Sequence, residues 1–399
     1  VSEASQKNQV ILPGATLGVM GGGQLGRMFV HAAQRMGYFT AVLDPDVSSP
    51  AGRVSHHHVL ADYLDAKGLA QLGAVADAIT TEFENVPAPA LEALARQRPV
   101  APAASAVAIA QDRAQEKAHF VRCGVACAPY AVIDSAEALA AVDAGLLPGI
   151  LKTSRMGYDG KGQVRVADRA ALVAAWAQLR EVPCVLEKML PLAAECSVIV
   201  ARGRDGQIVN FPPQRNLHRE GILAVTEVYE GNLPPAQSAT AVAAAKSIAN
   251  GLDYVGVLCV EFFVLADGAL VVNEIAPRPH NSGHYTMDAC DESQFDLQVR
   301  TLAGLPLTQP RQHSPSIMLN LLGDLWSDAN GVRAQAVTSA TPPPWAEVLA
   351  LPGVHLHLYG KLEAKAGRKM GHINVTGASI DAVRATALQA CKLLGLEPF

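Results

Sequence analysis

Two glutamates stand inside runs that otherwise read as buried strand, Glu261 in GVLCVEFFV and Glu274 in VVNEIA. A buried carboxylate costs free energy unless something compensates it. Asp267-Gly268 is a favoured two-residue hairpin turn, and a two-residue loop there sets Glu261 directly opposite Glu274. Their Cβ atoms would lie about 5 Å apart on one sheet face, where two like charges repel by about 3 kcal/mol at an effective dielectric of about 20. A divalent cation turns that penalty into a binding site, and hard oxygen ligands with room for phosphate oxygens suit Mg2+ holding a nucleotide. The bland alternatives are a neutral carboxyl or a bulge that turns one side chain outward; the rarity of buried unpaired carboxylates favours the metal. Asn273 points to the opposite face in this register and would reach the ion only with local twisting.

Two glycine-rich stretches could hold phosphate. KTSRMGYDGKGQ, residues 152–163, sets Gly157, Gly160 and Gly162 around Tyr158, Asp159 and Lys161, after a strand carrying Lys152. Its backbone amides can approach phosphates and its lysines supply charge, although an ordinary hairpin turn has the same composition. With a Mg-type carboxylate pair downstream, an ATP lid is favoured. Near the start, GVMGGGQLGRMF spells G-x-G-x-x-G at Gly21, Gly23 and Gly26, and Asp44 follows at the spacing of a dinucleotide fingerprint. An NAD(P) oxidoreductase would leave the paired carboxylates and the second glycine loop without a purpose. PCVLEKML, residues 183–190, reads as a strand running into a linker whose backbone could meet an adenine edge.

These residues need elements to hold them. TLGVM, QLGRMFVHAAQRMG, FTAVLD, LAQLGAVA and AITTEF alternate strand and helix periods, so residues 16–83 read as a parallel α/β unit. IAQDRAQEKAHFVRCG reads as one helix ending at Gly124. YAVID, GILKTS, PCVLEKML and ECSVIVAR are β-rich, and the chain from LPGVHLHLYGK onward reads as a small terminal unit. Half of the 399 residues are hydrophobic, enough for two or three cores, and no apolar run has the length of a membrane span. The polar start lacks a secretory pattern, so the cytoplasm is the expected location. Seven cysteines without a C-x-x-C pair read as reduced packing residues. A net charge of −5 with 17% charged residues gives no basic stripe for nucleic acid, so the expected partner is a small molecule. His56, His57 and His58 alternate faces on a strand and cannot all reach one ion.

The ordered set of Lys152, GYDGKGQ, LEKML, Glu195, HREGI, Glu261 and NEIAPRPHNSGHYT resembles the ATP-grasp superfamily. With GGGQLGRM in front, TEFENV at 81–86 and GRKMGHIN near the end, nearly the whole chain is similar to the N5-carboxyaminoimidazole ribonucleotide synthetase family of purine biosynthesis. One departure is Ala276, where many ATP-grasp members carry an Asn. The resemblance implies an α/β ATP-grasp fold with a Rossmann-like pre-ATP-grasp domain at 1–104, an ATP-grasp domain at 105–306 with a lid near 125–192, and a small C-terminal domain at 307–399. It implies a homodimer that uses ATP and Mg2+ to carboxylate aminoimidazole ribonucleotide with bicarbonate through carboxyphosphate. The nearest rival is a formate-dependent ATP-grasp enzyme acting on glycinamide ribonucleotide; Gln24, NSGHYT and the basic C-terminal motif favour the carboxylating family.

The resemblance also assigns roles. Arg113 and Lys152 contact phosphates, and Gly157 through Gln163 (with Tyr158, Asp159, Gly160, Lys161 and Gly162) form the lid. Glu187, Lys188, Met189 and Leu190 hold adenine, Glu195 the ribose, and His218 lies near the nucleotide. Glu261 and Glu274 hold the metal, with Asn273 beside them. Tyr158, Asp159, Lys161 and Arg278 serve the chemistry. The first glycine turn serves the phosphorylated substrate rather than NAD, through Gln24, Leu25 and its backbone amides. Glu82 accepts a hydrogen bond from the substrate amine, with Glu84 as the alternative on the same strand face. Asn281 and Ser282 face the same cleft, and Lys361, Arg368 and Lys369 bind the substrate phosphate.

Overall fold

The computed structural model describes residues 10–155, 162–326 and 342–399. The N-terminal strands Thr16–Met20, Phe39–Leu43, His57–Val59 and Ala78–Thr81 pair in parallel, with Thr16–Met20 between Phe39–Leu43 and Ala78–Thr81. The glycine turn leads from the central strand into the helix Gln24–Arg35. That helix buries Leu25, Met28 and Phe29 against Phe295, Val299 and Leu302 of the helix Gln294–Ala303. Ser293 and Asp296 close a capping box at the start of the second helix, which satisfies backbone donors that would otherwise be orphaned. The α/β unit is thereby fixed to the region that follows it.

The helix expected to run unbroken to Gly124 is two helices, Ala104–Ala110 and Arg113–Arg122. Asp112 breaks it: its carboxylate accepts from the amides of Ala114 and Gln115 at 3.1 and 3.3 Å. A short acidic side chain competes with helix continuation and favours a cap. The break aims Arg113 at the cleft from the first turn of a new helix.

Two further sheets follow. Tyr130–Ile133, Cys184–Lys188, Gly149–Thr153 and Gln163–Val166 form an antiparallel sheet in that spatial order. A nine-stranded sheet carries the Gly256–Leu265 and Leu270–Ala276 hairpin at one end and runs through Leu192–Arg202, Gln214–Arg219 and Ile222–Val228. It then continues without interruption into Ser316–Leu322, Lys369–Thr376 and Val354–Leu358. The C-terminal strands are therefore an extension of the central sheet, and Lys369 is tied rigidly to the Glu261 strand.

The hairpin has a three-residue loop, not the expected two-residue one. Gly268 sits at φ +86° and the Leu265 amide donates to Ala269 O at 2.8 Å. Near the loop, Phe262 therefore pairs with Val272 and Val264 with Leu270. A bulge then inserts Asn273, and beyond it Glu261 pairs with Glu274. The expected pairing is present because the bulge offsets the longer loop. Asn273 and Glu274 together oppose Glu261, so Asn273 lines the same cleft as both carboxylates rather than the opposite face.

Candidate active site

A cleft of about 820 Å³ lies between the antiparallel sheet and the nine-stranded sheet. Glu261, Asn273 and Glu274 line it from the hairpin, Lys152 and Glu187 through Leu190 from the antiparallel sheet, and Glu195, His218 and Lys369 from the long sheet. Arg113, Gln163, Arg278 and Asn281 also face it. A separate groove of about 920 Å³ beside Tyr130 is lined mainly by apolar side chains and holds none of the candidate residues.

Each of the two hairpin carboxylates has a basic side chain beside it. Glu274 Oε2 accepts from Arg113 Nη1 at 3.1 Å, and Glu261 Oε1 lies 3.2 Å from His280 Nε2. Burial would raise the Glu261 pKa, but the His280 ring, helped by His218 and Arg278, holds it well below the usual carboxylate range. The two carboxylates are therefore not bare: Arg113 pairs with Glu274, and the His280 ring lies beside Glu261. A hard cation still fits the donor set, because two opposed carboxylates share one sheet face and the buried Asn273 Oδ1 has no hydrogen-bond partner. Among the described residues no group of three or more His, Cys, Asp or Glu side chains is placed to hold a metal ion.

One wall of the cleft is built on a buried charge cluster. Lys152 Nζ donates to Glu187 Oε2 at 3.0 Å, and Lys117 Nζ lies 3.0 Å from Glu187 Oε1. Burial opposes ionisation of Glu187, but Lys152 and Lys117 outweigh it and lower its pKa; burial lowers the Lys152 pKa against the pull of Glu187. Lys188 and Met189 donate their amides to Pro129 O and Pro148 O at 2.9 and 3.0 Å. Those two N–H groups are thus spent, which leaves carbonyl oxygens and the Leu190 end of the segment for an adenine edge. Glu195 Oε2 is 2.6 Å from His218 Nδ1; burial lowers the His218 pKa, and Glu195 more than reverses that.

At the other end, the first glycine turn is filled by the protein's own carboxylates. Gly22 N donates to Asp44 Oδ2 at 2.7 Å, and Gly23 N and Gly26 N donate to Glu82 at 3.0 and 3.2 Å. The fingerprint acid Asp44 also accepts from Tyr63 Oη at 2.6 Å, so it braces the turn instead of waiting for a ribose. Two of these amides are thus engaged by Glu82, which caps the helix N-terminus where an anion would sit. Burial raises the Glu82 pKa against those two hydrogen bonds. Glu84 instead forms an ion pair with Arg278 and lines the cleft.

Two expected substrate contacts have buried side chains. Leu25 packs in the core under the turn, leaving only its backbone for a ligand. Ser282 is fully buried, and its Oγ accepts from Ser197 Oγ at 2.8 Å in a network that includes Gln214 and Asn216. Its neighbour Asn281 lines the cleft with both amide atoms unpartnered. Gln24 is half-buried at the first position of its helix. Lys361 Nζ donates to Lys369 O at 2.6 Å, and Arg368 and Glu82 both act on its charge. The basic cluster thus faces the capped turn. Gly157, Tyr158, Asp159, Gly160 and Lys161 lie outside the described residues.

Sequence reasoning passed over Glu116 and Lys117. Glu116 Oε1 accepts from Ile275 N at 2.8 Å, pinning the strand just after Glu274, and burial, with Glu274 adding, pushes its carboxyl up to about 8. The available signal was spacing, since Arg113, Glu116 and Lys117 share one helix face.

Three family models match: the ribonucleotide synthetase preATP-grasp domain over residues 14–111, the ATP-grasp domain over 118–295, and the phosphoribosylaminoimidazole carboxylase C-terminal domain over 316–386. The N5-carboxyaminoimidazole ribonucleotide synthase of Brucella melitensis is 45% identical over 365 residues, covering 90% of this chain and 96% of that protein. That of Bacillus subtilis is 40% identical over 366 residues, covering 92% of each. A crystal structure of an N5-carboxyaminoimidazole ribonucleotide synthetase with ADP aligns at TM-score 0.86 and 39% identity, over 96% of this chain and 97% of the other. The Aspergillus clavatus enzyme in complex with ADP and 5-aminoimidazole ribonucleotide aligns at TM-score 0.84 and 30% identity, over 98% and 99%.

Proposed function

The chain belongs to the N5-carboxyaminoimidazole ribonucleotide synthase family, and from that premise we propose how its cleft does the chemistry. It is an ATP-dependent carbon–nitrogen ligase that carboxylates 5-aminoimidazole ribonucleotide in purine biosynthesis. Bicarbonate is the carbon source in our reading. One bicarbonate oxygen attacks the γ-phosphorus of ATP and ADP leaves, giving carboxyphosphate. The exocyclic amine then attacks the carboxyl carbon, the C–O bond to phosphorus breaks, and the departing phosphate takes the amine proton.

Lys152 and Arg113 neutralise the polyphosphate, and Glu195 takes the ribose hydroxyls beside His218. Glu187 through Leu190 hold adenine. Glu261 and Glu274 would hold Mg2+, with Asn273 Oδ1 free to join, and the ion when bound offsets charge on the transferred phosphoryl group. Arg278, oriented by Glu84, meets carboxyphosphate, and Asn281 offers it an amide. Lys361, Arg368 and Lys369 take the ribonucleotide phosphate, and Glu82 accepts from the amine. Carboxyphosphate requires protection from water, the role that the family resemblance gives to Tyr158, Asp159 and Lys161. We also read the enzyme as a cytoplasmic homodimer, in keeping with its family. The domain limits 1–104, 105–306 and 307–399 are proposed as the units of this design.

The observation that supports this reading most is the convergence on one cleft of the opposed Glu261 and Glu274, the Lys152 wall and Lys369. The test is ADP release from Mg-ATP and bicarbonate, with and without aminoimidazole ribonucleotide, plus incorporation of labelled bicarbonate. Substrate-dependent release with matching label is expected. Turnover only with formate and glycinamide ribonucleotide would refute it.

A further inference from the structure

We propose that Lys117 is a positioning residue for nucleotide binding: it shares the charge of Glu187, so that Lys152 keeps positive charge for the polyphosphate. Lys117 lies one helical turn after Arg113 with its side chain 1% exposed, and it does not line the cleft. Lys152, on the other oxygen of Glu187, does line it. Two ammonium groups face one carboxylate, leaving one positive charge in excess in a dry place. The next pair, Arg113 with Glu274, is balanced, and the Glu116 carboxylate oxygen is engaged by the Ile275 amide. An excess buried charge is costly unless an anion completes it. Lys152 opens on the cleft, so the completing anion in this reading is the ligand's phosphate chain. Without Lys117, Glu187 and Lys152 would close into a neutral one-to-one pair.

The inference rests on the reading of this cleft as the ATP site, and the test separates the two. Binding of adenosine and of ADP is measured by calorimetry on the full-length protein and its variants. In K117M the ADP dissociation constant should rise about tenfold while that of adenosine stays within about twofold. Adding E187Q to K117M should restore the ADP-over-adenosine ratio, because Lys152 is then released; a packing defect would not be repaired by a second lesion. K117R keeps the charge and should keep the wild-type ratio, and its loss would overturn the argument even if K117M fails to fold. Equal weakening of both ligands by K117M would also overturn it. K152M serves as control: unchanged ADP binding there refutes the ATP-site reading, whereas weakened binding in K152M with none in K117M refutes the role of Lys117 alone.

Discussion

Raising the pH should weaken capture of the ribonucleotide before it touches ATP, because of where Lys361 sits. Burial, with Arg368 alongside, brings its ammonium down to about 8, although Glu82 pulls the other way. About nine-tenths of it is then charged at pH 7 and about one-tenth at pH 9, so kcat/KM for aminoimidazole ribonucleotide should fall about tenfold across that range. KM for ATP should not follow. K361R stays charged throughout and should remove the limb, while K361M should raise KM for the ribonucleotide about 10- to 100-fold at pH 7. Stability supplies a second reading. Between pH 8 and the ordinary value of 10.5 the folded protein has lost a proton that the unfolded chain retains, so stability rises with pH. Below pH 8 the burial cost is fully present, and K361M should relieve about 1–3 kcal/mol of it after allowance for solvent at the cleft mouth. Steady-state kinetics from pH 6.5 to 9.5 and urea melts at pH 7 decide it. A limb above pH 8 that persists in K361R, or a K361M protein less stable than wild type, would refute the reasoning.

Glu274→Gln should lower the rate of ATP turnover at least about a hundredfold with a normal melt; near-normal turnover with ordinary Mg2+ dependence would sink the metal assignment. Ser282→Ala should cost about 1–2 kcal/mol of stability through the buried Ser197 network and leave KM for the ribonucleotide within about twofold. A raised KM with an unchanged melt would restore Ser282 as a substrate contact. Between pH 4.5 and about 8 the native protein holds a proton on Glu116 that the unfolded chain has lost, so stability falls as pH rises, by up to about 1.4 kcal/mol per pH unit. Glu116→Gln, melted with chelator present, should therefore gain on wild type from pH 5 to pH 8 and then level off; a constant difference would count against it.

Local periodicity made the α/β unit, the antiparallel sheet and the carboxylate hairpin legible, because each is decided by which face is apolar. The hairpin also shows the limit of such reading. A bulge and a loop of one extra residue are both invisible to alternation, and here their offsets cancel, so the pairing of Glu261 with Glu274 was reached through the wrong turn. The cap at Asp112 was written in the sequence but hidden inside a run with helical composition on both sides. The glycine turn was harder, since G-x-G-x-x-G specifies that amides converge without saying which anion meets them. Glu82 and Asp44 come from distant strands, and only the parallel pairing of Thr16–Met20 with both neighbours brings them to the turn. Lys117 left only its spacing from Arg113, because a buried lysine in a helix looks like a solvated one until its partner on another sheet is known.

Several charged groups of the cleft and its neighbouring turn are paired within the protein itself. Glu82 sits on the glycine amides, Arg113 on Glu274, His280 on Glu261, Glu84 on Arg278, and Glu187 between two lysines. Binding is then an exchange of partners in which each new contact replaces an old one, so net affinity is smaller than the contact list suggests. The exchange favours selectivity. A ligand lacking a phosphate or an amine in the right place would break a protein pair and leave a charge unpaired in a dry site, at a cost of several kcal/mol. The pairs are also linked across domains: Glu84 and Glu82 leave one strand end two residues apart, the first holding Arg278 and the second holding the turn beside Lys361. In the proposed mechanism, drawing Glu82 toward the substrate amine would pull on the segment that orients Arg278. A substrate seated at the N-terminal unit would thereby set the guanidinium assigned to carboxyphosphate, so that the unstable intermediate would form where its acceptor is already in place.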